Sequence, residues 1–263
     1  EDIMPHHEIF IVEMGAYKRG EIAELCHIVK PRIGILTAIN DQHLSLFGSF
    51  ENIMLGKYEL IESLPKNGTA LFNGNNQNVL RLYKKTKKKK YLYFVENGES
   101  IKADIVAKNV VIKVNSIEFD VLLDKYIHIK ANLLGKQNIE NLLPGIFLAK
   151  NLGMTNKEIQ LAVLNVRPLP MTMKPIKTKM GVVLIDDTFN ANPQAISAAI
   201  EYLKVYQGKK IMVFQPMIEL GREAEDIHYS VGKAASRVFD QIFLTNMNFA
   251  QSFIKGAKES ENH

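Results

Sequence analysis

Glu8-Ile9-Phe10-Ile11-Val12-Glu13-Met14-Gly15 is a continuous apolar run that stops at a carboxylate and a glycine. It reads as a buried parallel strand, since strands covered on both faces lose the polar alternation. The next segment, Gly20-Glu21-Ile22-Ala23-Glu24-Leu25-Cys26-His27-Ile28-Val29, has helical spacing and is closed by Pro31. Ile33-Gly34-Ile35-Leu36-Thr37-Ala38-Ile39 is a second buried strand. Strand, helix and strand in that order specify an α/β sheet with helices on both faces. Such sheets collect ligands at the carboxyl ends of their strands.

Downstream the alternation continues. Ser49 is placed to cap a helix running through Leu64, Thr69 to Asn73 reads as a third strand, and Gly74-Asn75-Asn76 as a turn. From about Tyr91 to Ala131 the texture changes to short β-branched segments, Asn109 to Val114, Ser116 to Leu123 and Tyr126 to Ile129, which predict antiparallel strands. Helices return at Asn138 to Leu152 and Thr155 to Asn165. Arg167-Pro168-Leu169-Pro170 is a stiff linker, which divides the chain into domains at 1–166 and 167–263. Beyond it comes a second alternation: strand Val182 to Ile185, helix Gln194 to Tyr206, strand Lys210 to Phe214, helix Ile227 to Phe239, strand Ile242 to Leu244 and helix Phe249 to Lys258. Three strands are few for a free-standing domain of this kind.

Composition agrees with two ordinary globular domains: 263 residues, 46% hydrophobic and 23% charged, with no tryptophan. The single cysteine, Cys26, has no intrachain disulfide partner, and no basic-then-apolar leader is present, so a cytoplasmic location is expected. No run approaches the ~18 apolar residues of a membrane span. The net charge of +5 invites a nucleic-acid reading, but six lysines at 84, 85 and 87–90 account for it, and without them the balance is −1. Tyr83, Tyr91, Tyr93 and Phe94 flank the run without an RNA-binding motif around them. A solvated helix end or loop is the expectation, and nucleic acid is not an expected partner.

Several residues can carry chemistry. Glu13, at the carboxyl end of the first strand, is where nucleotide-hydrolysing folds hold magnesium, although a strand end simply reaching the surface looks the same. His43, a few residues after the second strand, projects from the same sheet edge and is a second potential metal ligand. Lys57 interrupts an apolar helix face formed by Ile53, Leu60, Ile61 and Leu64. Two readings stand for it. A buried ammonium loses its charge, and the neutral amine can add CO₂ to become a metal-binding carbamate; a snorkelling lysine instead covers the stripe with its stem. Asp186-Asp187-Thr188-Phe189-Asn190-Ala191-Asn192-Pro193 leads from a strand end into a Pro-started helix. It offers many hydrogen bonds to a nucleotide or peptide, and it also suits an elaborate helix cap.

In combination these residues resemble the Mur ligases. Glu13-Met14-Gly15-Ala16 with Gly20-Glu21-Ile22, Asn40 with His43-Leu44 and Phe47-Gly48-Ser49, and Lys57 with Glu59-Leu60 are similar to that family's central ATP-binding domain. Gly135-Lys136-Gln137-Asn138 with Asn141 resembles the segment that closes that domain. The Asp186 to Pro193 turn is similar to the element distinguishing the MurF type, which adds D-Ala-D-Ala to a UDP-MurNAc-tripeptide. Met217-Ile218-Glu219-Leu220-Gly221 with His228 resembles a further C-terminal element. The resemblance implies a mostly parallel sheet with a small antiparallel part, followed by a partial Rossmann-like C-terminal domain. It implies an ATP- and magnesium-dependent, cytoplasmic ligase that makes an amide bond through an acyl phosphate in peptidoglycan precursor synthesis. By the same resemblance Glu13 and His43 bind magnesium, and Lys57, carbamylated, holds a second ion. Gln137, Asn138 and Asn141 lie at the nucleotide, and Asp187, Phe189 and Asn190 approach the nucleotide or the dipeptide.

The chain also departs from the family. Family members carry a glycine-rich phosphate loop ending in Gly-Lys-Thr or Gly-Lys-Ser and an N-terminal UDP-sugar domain, and these 263 residues contain neither. Gln137 replaces a common histidine, Met171-Thr172 a Gly-Arg or His-Arg pair, and Gln215-Pro216 a Gly-Asp pair. The expectation is therefore a chain shortened at its N-terminus and at its C-terminus, and inactive alone. The alternatives are a non-catalytic Mur-like interaction module, and another Mur or folylpolyglutamate-type ligase, against which the Asp186 to Pro193 turn argues.

Overall fold

The structure is a computed structural model and describes residues 3–40, 44–98, 101–122, 124–189, 191–218 and 220–260. In chain order the first part contains α1 (Glu21–Val29), β1 (Ile33–Leu36), α2 (Leu44–Phe47), α3 (Phe50–Glu62), β2 (Thr69–Asn73), α4 (Gln77–Lys85), β3 (Lys89–Val95), β4 (Ile105–Ile112), β5 (Ile117–Leu122), β6 (Tyr126–Ala131), α5 (Gln137–Asn151) and α6 (Asn156–Leu164). The second part contains β7 (Lys174–Lys177), β8 (Val183–Asp186), α7 (Pro193–Leu203), β9 (Ile211–Phe214), α8 (Ala224–Ala235), β10 (Gln241–Leu244) and α9 (Ala250–Ser260).

The main sheet runs β1-β2-β3-β4-β5-β6. β1 to β4 are parallel, and β5 and β6 return antiparallel. β2 shows why the parallel strands carry no polar alternation. Ala70 and Phe72 enter one core with Ile53, Ile61 and Val79, while Leu71 enters the other with Tyr93, Ile139 and Leu143. Helices thus cover both faces. Local signals set the helix starts: Ser49 accepts from Asn52 N at 3.2 Å, Asn76 from Val79 N at 3.0 Å, and Thr155 with Glu158 closes a capping box.

α1 is different, because its N-cap Gly20 has no side chain to offer. Glu59 of α3 caps it instead, accepting from Gly20 N at 2.8 Å and Ala23 N at 3.2 Å. Glu59→Ala is expected to cost about 1–2 kcal/mol, the usual range for a lost N-cap. Denaturant unfolding checks this, and a change below about 0.3 kcal/mol would contradict the capping role.

Four sequence expectations need correction. Glu8 to Gly15 is not a strand: Ile9, Phe10 and Val12 are exposed, Ile11 is 88% exposed, and the segment has no ladder partner among the described residues. An apolar run cannot announce whether a neighbouring strand exists to receive its backbone bonds. Second, the segment after Tyr91 is not simply antiparallel, since β3 and β4 extend the parallel sheet. Third, β8 pairs antiparallel with β7 and does not join β9 and β10. Fourth, the lysine run is only partly solvated. Lys88 Nζ donates to Glu62 O at 2.8 Å and also to Leu64 O. Lys90 Nζ donates to Tyr83 O at 2.7 Å and Thr86 O at 2.8 Å. Two lysines therefore satisfy the last carbonyls of α3 and α4, the arrangement that the negative end of a helix favours.

The two parts touch through α7. Tyr202 Oη donates to Val114 O at 2.6 Å, beyond the end of β4. Its ring lies in a cluster with Leu134 and Met173.

Candidate functional site

The carboxyl ends of β1, β2 and β3 form one rim, and the N-terminal end of α5 meets it. Asn73, the last residue of β2, is 4% exposed. Its Nδ2 donates to Thr37 O at 2.9 Å and to Glu140 Oε2 at 2.8 Å, and its Oδ1 accepts from Asn75 N at 2.9 Å. The Asn75 side chain pairs with both backbone groups of Val95, at 2.8 and 2.7 Å. Asn76 donates to Asn40 Oδ1 at 3.0 Å, and Asn78 to Ile39 O at 3.0 Å. The turn after β2 is thus a polar girdle tying three strand ends together. Sequence reading assigned it only a turn and missed Asn73 and Glu140; the asparagine density just past a strand end was the available signal.

Burial pushes the Glu140 carboxyl above the ordinary carboxylate value, against the Asn73 hydrogen bond and the Lys136 charge, which lower it. A folded-state value above the unfolded one gives a contribution that is complete below the unfolded value and is lost as pH rises through the folded value. Glu140→Gln is therefore expected to flatten the decline of stability as pH rises from the ordinary value of 4.5. Denaturant midpoints across that range test it, and an unchanged slope would contradict it.

Lys57, on α3, is half-buried. Burial pulls its ammonium below the ordinary lysine range, and the Glu13 charge works in the opposite sense. The structure therefore brings Glu13 and Lys57 within electrostatic reach of each other, with Glu13 exposed on an extended segment rather than on a strand. His43 lies outside the described residues. Among the described residues no three His, Cys, Asp or Glu side chains cluster as a metal site. A lysine whose charge is disfavoured, beside one carboxylate, does fit the donor chemistry of a carbamate and a divalent cation.

At the other side of the rim, Asn138 Nδ2 donates to Leu134 O at 2.7 Å, and Gln137 Nε2 reaches the same carbonyl at 3.4 Å. Gly135 makes this turn with φ of 83°, a left-handed conformation that suits glycine. The Gln137 Oε1 is buried without a partner, and Asn141 is exposed. In the second part, Asp187 Oδ1 accepts from Met173 N at 3.0 Å. Burial pushes its carboxyl up, with Asp186 adding to the shift and the Met173 bond opposing it. Phe189 is 60% exposed, and Asn190 lies outside the described residues. Asn192 caps α7 through Ala195 N at 2.9 Å, so this turn is a helix cap whatever else it does. His228 is fully buried and accepts from Met217 N at Nε2, 3.0 Å, and its Nδ1 lies 2.6 Å from Ala224 O. With Nε2 accepting, Nδ1–H is the donor to Ala224 O. It holds the chain after β9, while Glu219 lies outside the described residues.

A sequence model of the Mur ligase middle domain matches residues 2–149, and one of the Mur ligase glutamate ligase domain matches residues 173–262. The chain belongs to the Mur ligase family. The UDP-N-acetylmuramoyl-tripeptide–D-alanyl-D-alanine ligase of Escherichia coli K12 is 29% identical over 234 residues, covering 89% of this Mur ligase chain and 51% of that protein. That of Haemophilus influenzae is 30% identical over 228 residues, 86% of this chain and 49% of that one. The chain thus spans about half the length of the curated relatives it matches. Among solved structures, MurF from Acinetobacter baumannii superposes with a TM-score of 0.87 at 24% identity, over 97% of this chain and 55% of that one. MurF from Thermotoga maritima in complex with ADP gives 0.77 at 24% identity, over 90% and 54%. Folylpolyglutamate synthase from Thermotoga maritima shares the fold less closely, at 0.58 and 16% identity, over 87% and 52%. No helix of the described residues is long and apolar enough to cross a membrane.

Proposed function

We propose that these residues are the central and C-terminal parts, 1–166 and 167–263, of a MurF-type ligase. Its reaction joins D-Ala-D-Ala to a UDP-MurNAc-tripeptide at the expense of ATP, in the cytoplasm. The tripeptide carboxylate takes the γ-phosphoryl group of ATP, releasing ADP. The dipeptide amine then attacks the acyl phosphate, losing a proton and expelling phosphate as the amide forms. The observation that supports this reading is the half-buried Lys57 of α3 within electrostatic reach of Glu13. Glu13, His43 and Lys57, the last as its carbamate, would hold magnesium, which when bound neutralises charge on the transferring phosphoryl group. The sheet rim near Gln137, Asn138 and Asn141 orients the nucleotide. Asp187, Phe189 and Asn190 approach it, or the dipeptide, from the second part.

The test joins these residues to the segments of the Escherichia coli ligase that they do not cover and assays phosphate release. Turnover requiring both UDP-MurNAc-tripeptide and D-Ala-D-Ala is expected. Turnover with a folate and glutamate instead would move the chain to the folylpolyglutamate type. A folded but inert chimera would favour the non-catalytic module.

A further inference from the structure

The Asn73–Glu140 bond joins residues 67 positions apart at a point where β1's exit, the turn after β2 and α5 meet. Neither amide hydrogen of Asn73 is free, since one goes to Thr37 O and the other to the carboxylate. Without that carboxylate the amide loses the partner that fixes its orientation. Glu140 stands in the first turn of α5, whose positive end favours a carboxylate. Pro144 lies inside the same helix and supplies no N–H, so the carbonyl four residues earlier, that of Glu140, has no helical hydrogen bond. The first turn is therefore held less by its own ladder than an uninterrupted helix would hold it, and a side-chain tie to the sheet has more to fix.

We propose that Glu140 is a positioning residue: by holding Asn73 it fastens the carboxyl ends of β1 and β2 to the first turn of α5. Two segments are thereby set against each other. One runs from Thr37 to Asn40, and the other carries Gln137, Asn138 and Asn141. That these segments face a nucleotide rests on the function proposed above; the fastening does not. Glu140 itself touches no reacting atom in this account.

The test is amide hydrogen exchange on the full chain with Glu140→Gln and Glu140→Met. Methionine keeps the length and removes the acceptor, whereas glutamine keeps an oxygen for Asn73. In Glu140→Met, exchange at 37–40 and 73–76 is expected to rise about 10- to 100-fold, as for a lost hydrogen bond to a charged group, with Glu140→Gln within about threefold of the parent. β5 and β6 serve as the internal reference and should not change. Unchanged exchange at 37–40 in Glu140→Met would overturn the proposal, and so would equal loss in both variants, which would assign the effect to charge. If Glu140→Met does not fold, Asn73→Ser breaks the same bond from its other end and carries the same expectation. Calorimetric titration with ADP and magnesium adds a separate arm. Weakening in Glu140→Met with rescue in Glu140→Gln is expected. This arm uses the chimera described above, which restores the phosphate loop; absence of binding by that chimera would count against the nucleotide reading, while the exchange result still decides the fastening.

Discussion

The 263-residue chain assayed alone is expected to release phosphate at least about 10⁴-fold more slowly than a complete MurF-type ligase, because single preorganised charge-stabilising donors are each worth about 10²–10³ in rate and several are missing together. The chain contains no Gly-Lys-Thr or Gly-Lys-Ser loop. The structure shows why neither obvious substitute serves. The Asn-rich turn after β2 has the right position, yet its donors are engaged: Gly74 N with Tyr93 O at 2.7 Å, Asn75 N with Asn73, and the side chains of Asn75, Asn76 and Asn78 with the neighbouring chain. The lysine run sits at the wrong end. It enters β3 at Lys89, and the seven residues of that strand place it roughly 20 Å from the carboxyl rim. Lys88 and Lys90 are also held by helix carbonyls. Phosphate release is measured with UDP-MurNAc-tripeptide, D-Ala-D-Ala, ATP and magnesium, beside a complete relative. Comparable turnover, abolished by Lys57→Ala, would show that another group cradles the triphosphate.

Gly256→Ala is expected to destabilise the second part by about 3 kcal/mol or more, at or beyond the upper end of the usual overpacking range. α8 and α9 cross backbone to backbone. A Cβ on Gly256 would lie 1.9 Å from Tyr229 O, and one on Gly232 would lie 2.1 Å from Phe253 O. No rotamer relieves a clash with backbone, so the helices must separate. Separation uncovers Val231, Ala235 and Phe253, which form much of the core between α8, α9 and the β9–β10 sheet. Gly145 is the control, because a Cβ there meets nothing within 4 Å. On the α5 surface its change to alanine is expected to stabilise by roughly 0.5–1 kcal/mol. Thermal unfolding with exchange mapping measures both. A Gly256→Ala change below about 1 kcal/mol would mean that α9 shifts without losing its packing.

Glu59 and Lys57 are two residues apart on one helix, and they divide what the sequence discloses from what it conceals. A lysine breaking an apolar stripe is visible in spacing alone, and the structure finds it half-buried with its ammonium disfavoured. Nothing in spacing says that Glu59 caps α1, a contact across 39 positions. The same division holds for the fold. Helix starts at Ser49, Thr155 and Asn192 were legible because a cap is bonded within three residues of its own position. The parallel core strands β1 and β2 were legible because burial on both faces leaves a continuous apolar run. Glu8 to Gly15 carries an equally apolar run and forms no strand, since a ladder needs a second backbone that local sequence does not describe. Strand-end position made Glu13 and His43 candidates and the family resemblance added Asn138, whereas the Asn73–Glu140 tie lay outside both. Sequence by itself therefore determined the local caps, the two-faced strands and the lysine that interrupts the apolar stripe of α3. Only the tertiary structure decided which carboxylates and amides meet, because those bonds close loops of tens of residues, and local propensity carries no information about where such loops end.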